Sequence, residues 1–216
     1  MDSSKAAKIY DRLAPLYDFW SVLTETVPEQ QALRVAELKP GDSVLEVALG
    51  TGKLFLEVLQ TTGLRRCVGV DLSTRMLERA RRRVLSLGTN PALCRADARR
   101  LPFADSSFDA VLCCYMLDLL AEEDIRGVLG EFHRILKPGG RLSALVMAEQ
   151  ARVFNAIWMW GYRHAPALVG GCRPVALAPL LEAEGWRLEL QERVTQNGFR
   201  SDLILARPSG AKSRSA

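Results

Sequence analysis

Glu46, Asp71 and Asp97 stand in or just after three short apolar runs, and Ala48, Gly50, Thr51 and Gly52 follow the first of them. The stretch Val44-Leu45-Glu46-Val47 predicts a strand, and Lys53 to Gln60 predicts a helix, so the small residues between them form a sharp strand-to-helix turn. Small side chains there let backbone N–H groups approach a ligand, and a helix N-terminus adds partial positive charge. Asp71 lies 19 residues past Gly52, at the end of Cys67-Val68-Gly69-Val70. A carboxylate at that distance suits a ribose diol, because it can accept from both hydroxyls. The spacing E-x-A-x-G-x-G is not the G-x-G-x-x-G of a dinucleotide site. An acid inside the strand would repel a pyrophosphate and would suit an ammonium or sulfonium. On its own the loop is equally compatible with a tight turn that holds no ligand.

At 216 residues, 48% hydrophobic and 25% charged, the chain reads as one globular domain. A net charge of +4 does not by itself argue for nucleic acid. Cys67, Cys94, Cys113, Cys114 and Cys172 form no C-x-x-C pair, and neither His133 nor His164 has ligand-like spacing, so no metal site is expected. Reduced thiols and the lack of a secretory pattern or membrane-length apolar run suggest a cytoplasmic setting. A peripheral membrane contact is left open.

Strand-helix alternation from 43 to 147 predicts an α/β fold with a doubly wound parallel sheet. Before it, residues 1–40 predict a helical cap: residues 4–24 have helical spacing interrupted by Pro15, and Pro28 to Leu38 reads as a helix. Met76, Leu77, Ala80, Val84 and Leu87 form one apolar stripe, capped by Ser73 or Thr74; Arg75, Arg79, Arg81, Arg82 and Arg83 read as its solvated face. Strand three is Ala92 to Arg95, strand four Ala110 to Cys114, a helix runs from Glu122 to Leu136, and strand five is Leu142 to Met147. The aromatic-rich segment 149–175 breaks the alternation; it either walls an apolar substrate, touches a membrane interface, or packs on the cap. A helix, Ala176 to Gly185, then precedes strands Trp186 to Val194 and Gly198 to Ala206. The domain is expected to span 1–206, with 207–216 a disordered basic tail.

Five segments in order resemble the class I S-adenosylmethionine (SAM) dependent methyltransferases: the loop after Glu46, Asp71, Asp97-Ala98, Leu101-Pro102-Phe103-Ala104-Asp105-Ser106-Ser107-Phe108-Asp109, and Leu136-Lys137-Pro138-Gly139-Gly140. Tyr10-Asp11-Arg12-Leu13-Ala14-Pro15-Leu16-Tyr17-Asp18 is similar to the opening of the ubiquinone/menaquinone C-methyltransferase-like group. The resemblance implies a Rossmann-like seven-stranded sheet with an antiparallel final strand. It also implies a cofactor site in which Glu46 and Ala48, Gly50, Thr51 and Gly52 hold the methionine end, Asp71 the ribose, Leu72 and Met76 apolar contacts, and Asp97 with Ala98 the adenine. Tyr17 and Tyr115 would close over the sulfonium. Ala48 departs from the family's first glycine. Asp118, Tyr162 and His164 are the candidates for a general base, Asp118 being favoured by its place at the sheet edge, with Tyr115 beside it. Asp118-Leu119 departs from the basic residue and asparagine usual in the quinone group, which keeps a cationic amine acceptor open. The expected function is methyl transfer to a small, lipophilic acceptor, quinol-type or a phospholipid headgroup. The alternative is a non-catalytic SAM-binding subunit that presents its surface to a partner.

Overall fold

The computed structural model describes residues 24–61, 63–85, 88, 92–164 and 171–209. Its elements, in chain order, are α1 (Thr26–Val35), β1 (Ser43–Val47), α2 (Lys53–Leu59), β2 (Arg66–Asp71), α3 (Thr74–Leu85), β3 (Ala92–Arg95), β4 (Phe108–Cys114), a short 3-10 turn (Leu117–Leu119), α4 (Glu122–Ile135), β5 (Leu136–Met147), α5 (Arg152–His164), α6 (Leu177–Ala183), β6 (Trp186–Gln196) and β7 (Phe199–Pro208). Residues 1–23, and with them Tyr17 and the first part of the expected cap, lie outside the described residues.

The strands form one sheet in the order β3-β2-β1-β4-β5-β7-β6. The five strands from β3 to β5 are parallel, and β7 runs antiparallel to both β5 and β6. The expected Rossmann-like sheet with its reversed strand is therefore present. Alternate residues supply opposite faces, as the period-2 geometry of a strand requires. Leu45 and Val47 of β1, Val111 and Cys113 of β4, and Leu142, Ala144 and Val146 of β5 pack with α4 and α6. Val44, Ala110 and Leu112 face Ala36, Leu54 and Val58 on the other side, beside α1 and α2. Glu46 follows Val44 by two residues and so belongs to this second face. Its in-register neighbours are Gly69 of β2 and Leu112 of β4.

Boundaries moved in physically readable ways. Strand five begins at Leu136, six residues earlier than expected, because the Lys137-Pro138-Gly139-Gly140 reversal is carried as an irregularity within the strand, between the pairs Phe108↔Leu136 and Ala110↔Arg141. The last strand reaches Pro208, and Ser209 N donates to Gly185 O at 2.9 Å, so the expected tail starts too early at 207. Helix α1 is tied to the far end of the sheet. Val27 N donates to Gln196 Oε1 (2.7 Å), Ser143 Oγ donates to Ala32 O (2.8 Å), and the Arg141 guanidinium donates to the carbonyls of Ala36 and Glu37 and to Asp42 Oδ2. In the 149–175 segment, Trp158 packs beside Phe199, with its Nε1 donating to Cys172 O at 3.0 Å. That cluster includes Ala32 of α1, which favours the packing role for this tryptophan. Trp160, 63% exposed, stacks on His164. No described helix is long and apolar enough to cross a membrane.

Candidate functional site

The turn after β1 is built on three left-handed residues: Ala48 (φ 57°), Gly50 (φ 55°) and Gly52 (φ 75°). Alanine at 48 therefore accepts the conformation that its glycine counterpart would take freely, at a cost of roughly 1 kcal/mol. Gly52 has a second reason to be glycine. A Cβ there would lie 2.7 Å from Ala80 Cβ, so α3 could not approach the loop. A Cβ at Gly50 would meet nothing within 4 Å, because that position faces open space.

Three of the loop's N–H groups are satisfied within the protein. Leu49 N donates to Val70 O (3.1 Å), Gly50 N to Asp71 Oδ2 (2.9 Å) and Gly52 N to Leu49 O (2.9 Å). Two acids and one lysine face the adjoining cleft. The cleft has an empty volume of about 400 Å³ and is lined by Glu29, Glu46, Ala48, Leu49, Gly50, Thr51, Lys53, Leu54 and Cys114. Glu46 is buried, and its Oε2 has no protein partner. Burial pushes its carboxyl well above the usual range, and the charges of Glu29, Asp71 and Glu57 push the same way. Burial also raises Glu29 to about 7; Lys53 and Arg83 oppose the shift and Glu57 adds to it. An enclosed, unpartnered carboxylate is costly unless something cationic meets it. The residues therefore fit a ligand whose inner end is positively charged.

Asp71 braces this loop from the neighbouring strand, with Oδ2 on Gly50 N and Oδ1 on Ser73 N (2.8 Å). Ser73 Oγ in turn accepts from Met76 N at 3.2 Å, capping α3 and burying the Met76 side chain. Leu72 is half-buried and its carbonyl accepts from Arg95 Nε at 3.1 Å. Asp97 is gripped by Arg99, whose NH2 donates to Oδ2 at 2.7 Å, and this hydrogen bond holds the carboxyl below its ordinary value. Ala98 packs against the main core cluster. Asp71, Leu72, Met76, Asp97 and Ala98 thus lie along the β2 and β3 ends, outside the lining of the acidic cleft.

Nor do Tyr115 and Asp118 line the cleft. Tyr115 sits at φ 54°, and its hydroxyl shares a hydrogen bond with Ser201 Oγ at 2.7 Å. Strand alternation would send its ring to the α4 side. The left-handed backbone instead turns it into the cluster of Ala32, Leu145, Met147 and Leu203. Asp118 is 0% exposed; Oδ2 accepts from Met147 N at 2.9 Å, and its backbone carbonyl accepts from Arg173 N. Burial lifts its carboxyl to about 7 against the pull of the Met147 N–H and of Arg173. It ties the turn after β4 to the end of β5, and its Oδ1 is buried without a protein partner. Of the other candidate bases, His164 is exposed, with Nδ1 on Trp160 O, and Tyr162 lies on the same helix, α5; neither lines the cleft.

Sequence reasoning missed two contributors. Arg83, read as solvated surface, sends NH1 to both Thr51 O and Thr51 Oγ1 at 2.7 Å and anchors the loop from α3. Glu29 belongs to no motif. Its one trace in the sequence is a pair of glutamates, Glu25 and Glu29, one helical turn apart ahead of β1.

A family model described as a methyltransferase domain matches residues 44–140. The ubiquinone/menaquinone biosynthesis C-methyltransferase UbiE of Desulfotalea psychrophila is 35% identical over 168 residues, covering 76% of this chain and 67% of the relative. The demethylmenaquinone methyltransferase of Thermus thermophilus is 34% identical over 168 residues, covering 76% of each. A solved SAM-dependent methyltransferase from Thermotoga maritima shares the fold with a TM-score of 0.71 at 20% identity, covering 92% of this chain and 98% of that one. With the acidic cleft beside a left-handed loop and the reversed seventh strand, these likenesses identify the chain as a member of the SAM-dependent methyltransferases, in the family that holds the ubiquinone/menaquinone C-methyltransferases.

Proposed function

We propose that this methyltransferase acts on a quinol-type ring and delivers the methyl group to carbon. The observation that carries the donor half of this reading is the buried, unpartnered Glu46 carboxylate lining a cleft closed on its other side by α1. The acceptor half is supported by the relatives, which are methyltransferases of ubiquinone, menaquinone and naphthoquinone precursors. When bound, SAM supplies a methyl group already made electrophilic by its sulfonium. The protein's part is to hold, align and exclude water, with the acceptor carbon about 3–3.5 Å behind the methyl. Glu46 and the 48–52 loop would take the methionine end. Asp71 would reach the ribose while bracing Gly50, and Asp97 with Ala98 would meet the adenine edge. Leu72 and Met76 would supply apolar contact. A quinol carbon becomes nucleophilic as a phenolic proton leaves. The amine reading leaned on a carboxylate offered to the acceptor at 118. The enclosure of Asp118 weighs against that reading.

The test is a labelled-donor assay against reduced quinones lacking one ring methyl, phospholipids and lipid extract, with mass spectrometry of every labelled product. Carbon methylation of a quinol is expected. Label confined to headgroup nitrogen would overturn the acceptor assignment. In parallel, Asp71→Ala should weaken donor binding in calorimetry; unchanged affinity would remove Asp71 from the site.

A further inference from the structure

Glu29 reaches the cleft by a route independent of the strand ends that carry the rest of the site. Its helix is fixed by bonds to Gln196, Ser143 and Arg141, all at the opposite side of the sheet from β2 and β3. On the cleft side, Lys53 Nζ donates to Thr26 Oγ1 at 3.1 Å, joining the start of α1 to α2. The charged groups around Glu29 are Lys53 and Glu57 from α2, Arg83 from α3 and Glu46 from β1; around Glu46 they are Glu29, Glu57 and Asp71 at the end of β2. The Cys114 thiol of β4 faces both and the Cys67 thiol of β2 faces Glu46, each held neutral by burial, and Glu25 lies one turn before Glu29, at the start of α1. Carboxylates thus outnumber cations around a concavity that Glu46 lines with an unpartnered, enclosed oxygen.

We propose that Glu29 and Glu46 form a two-carboxylate seat for the cofactor's cationic pole, so that seating the sulfonium donor ejects a proton from the cleft while the demethylated product does so far less. The inference rests on the reading that this cleft takes SAM. Donor and product both bring an ammonium, but the donor alone brings the sulfonium. In the cofactor-free protein the two acids share a burial penalty that keeps protons on them near neutrality. A cation in the seat favours the charged carboxylates, and the released proton goes to the buffer. Conversion of donor to product removes one positive charge, the carboxylates regain a proton, and the product is held less tightly than its shape alone would dictate.

The linkage has a definite size. A single carboxyl at about 7 in the empty cleft, ionised when the donor is bound, tightens donor binding about tenfold between pH 6 and pH 8. Calorimetry of donor and product at pH 6, 7 and 8, each in buffers of different ionisation enthalpy, reads both the affinity and the proton count. The expected result is release of up to about one proton with donor at pH 6, a roughly tenfold tightening by pH 8, and a change under about threefold for the product. Glu29→Gln, checked for fold by circular dichroism, should flatten the donor profile. The wild-type proton count stands as a test even if that variant fails to fold. A common, flat profile for donor and product overturns this proposal and leaves the cofactor reading standing, as does a Glu29→Gln protein that keeps the wild-type slope. Absence of any binding at every pH overturns the cofactor reading and the proposal with it.

Discussion

Replacing Arg83 by methionine tests whether the glycine loop is held from outside. The change keeps much of the apolar stem and removes the guanidinium that donates twice to Thr51, to the carbonyl and to Oγ1, both at 2.7 Å. Hydrogen bonds from a charged donor contribute about 1.5–3 kcal/mol each where buried. Arg83 is half-buried and both bonds share one nitrogen, so about 2 kcal/mol in all is the reasonable figure. For a domain of this size that corresponds to a fall in Tm of about 4–8 °C. The neighbouring Arg82 supplies the control. It is 77% exposed and stands 3.8 Å from Glu78, so Arg82→Met should change stability by less than about 0.5 kcal/mol. Loosening the loop should also raise the donor Kd by roughly tenfold in Arg83→Met, since about 1.4 kcal/mol of misalignment suffices for that. Thermal unfolding and calorimetric titration of the two variants side by side decide the matter. If Arg83→Met matches Arg82→Met in both Tm and Kd, the anchoring argument is wrong and Arg83 is surface after all.

Gly52→Ala brings a Cβ to 2.7 Å from Ala80 Cβ at a φ of 75°, and should cost on the order of 3 kcal/mol in urea unfolding, whereas Gly50→Ala, with no such clash, should cost about 1–2 kcal/mol; equal costs would refute the close-approach account. Arg141 is 7% exposed and bonds Asp42, 13% exposed, at 2.5 Å while serving two carbonyls of the segment after α1, so Arg141→Met should destabilise by about 3–5 kcal/mol in a denaturant melt. Asp118, raised from 3.8 to about 7, binds a proton in the folded state that the unfolded chain has released. Its contribution is therefore present at low pH and lost as pH rises from about 4 to about 7, by at most on the order of 4 kcal/mol. Glu29 acts in the same direction between 4.5 and about 7. Asp118→Asn should flatten the fall of Tm across that range; an unchanged pH profile would show that Asp118 does not carry it.

The fold was legible because its signals are local. Apolar runs ending in acid or glycine, and the Leu136 to Gly140 reversal, each fix a strand end through nearby residues. The site was legible where it is made of those same ends: Glu46, Ala48, Gly50 and Thr51 line one cleft. It failed where a side chain's role depends on distant partners. Arg83 looks like its neighbours in sequence, and nothing local says that it lies against Thr51, 32 residues away. Tyr115 departs from strand alternation because of one left-handed residue, which periodicity cannot register. Asp118 was placed correctly at the sheet edge, but its enclosure depends on Met147 and Arg173. Glu29 enters through a helix whose position is set by Gln196, Ser143 and Arg141.

The docking of α1 on β5 and on the β6–β7 hairpin has a consequence for synthesis on the ribosome. Helix α1 and the whole motif-bearing half emerge first, yet Gln196, which meets Val27, and Ser201, which meets Tyr115, are translated 56 and 61 residues after Gly140, the last of the motif residues. A nascent chain paused before β7 carries every recognisable motif, but its α1 has only Ser143 and Arg141 of β5 to dock on until β7 brings β6 and Gln196 into the sheet. Full docking of the helix that brings Glu29 to the cleft therefore waits for that hairpin.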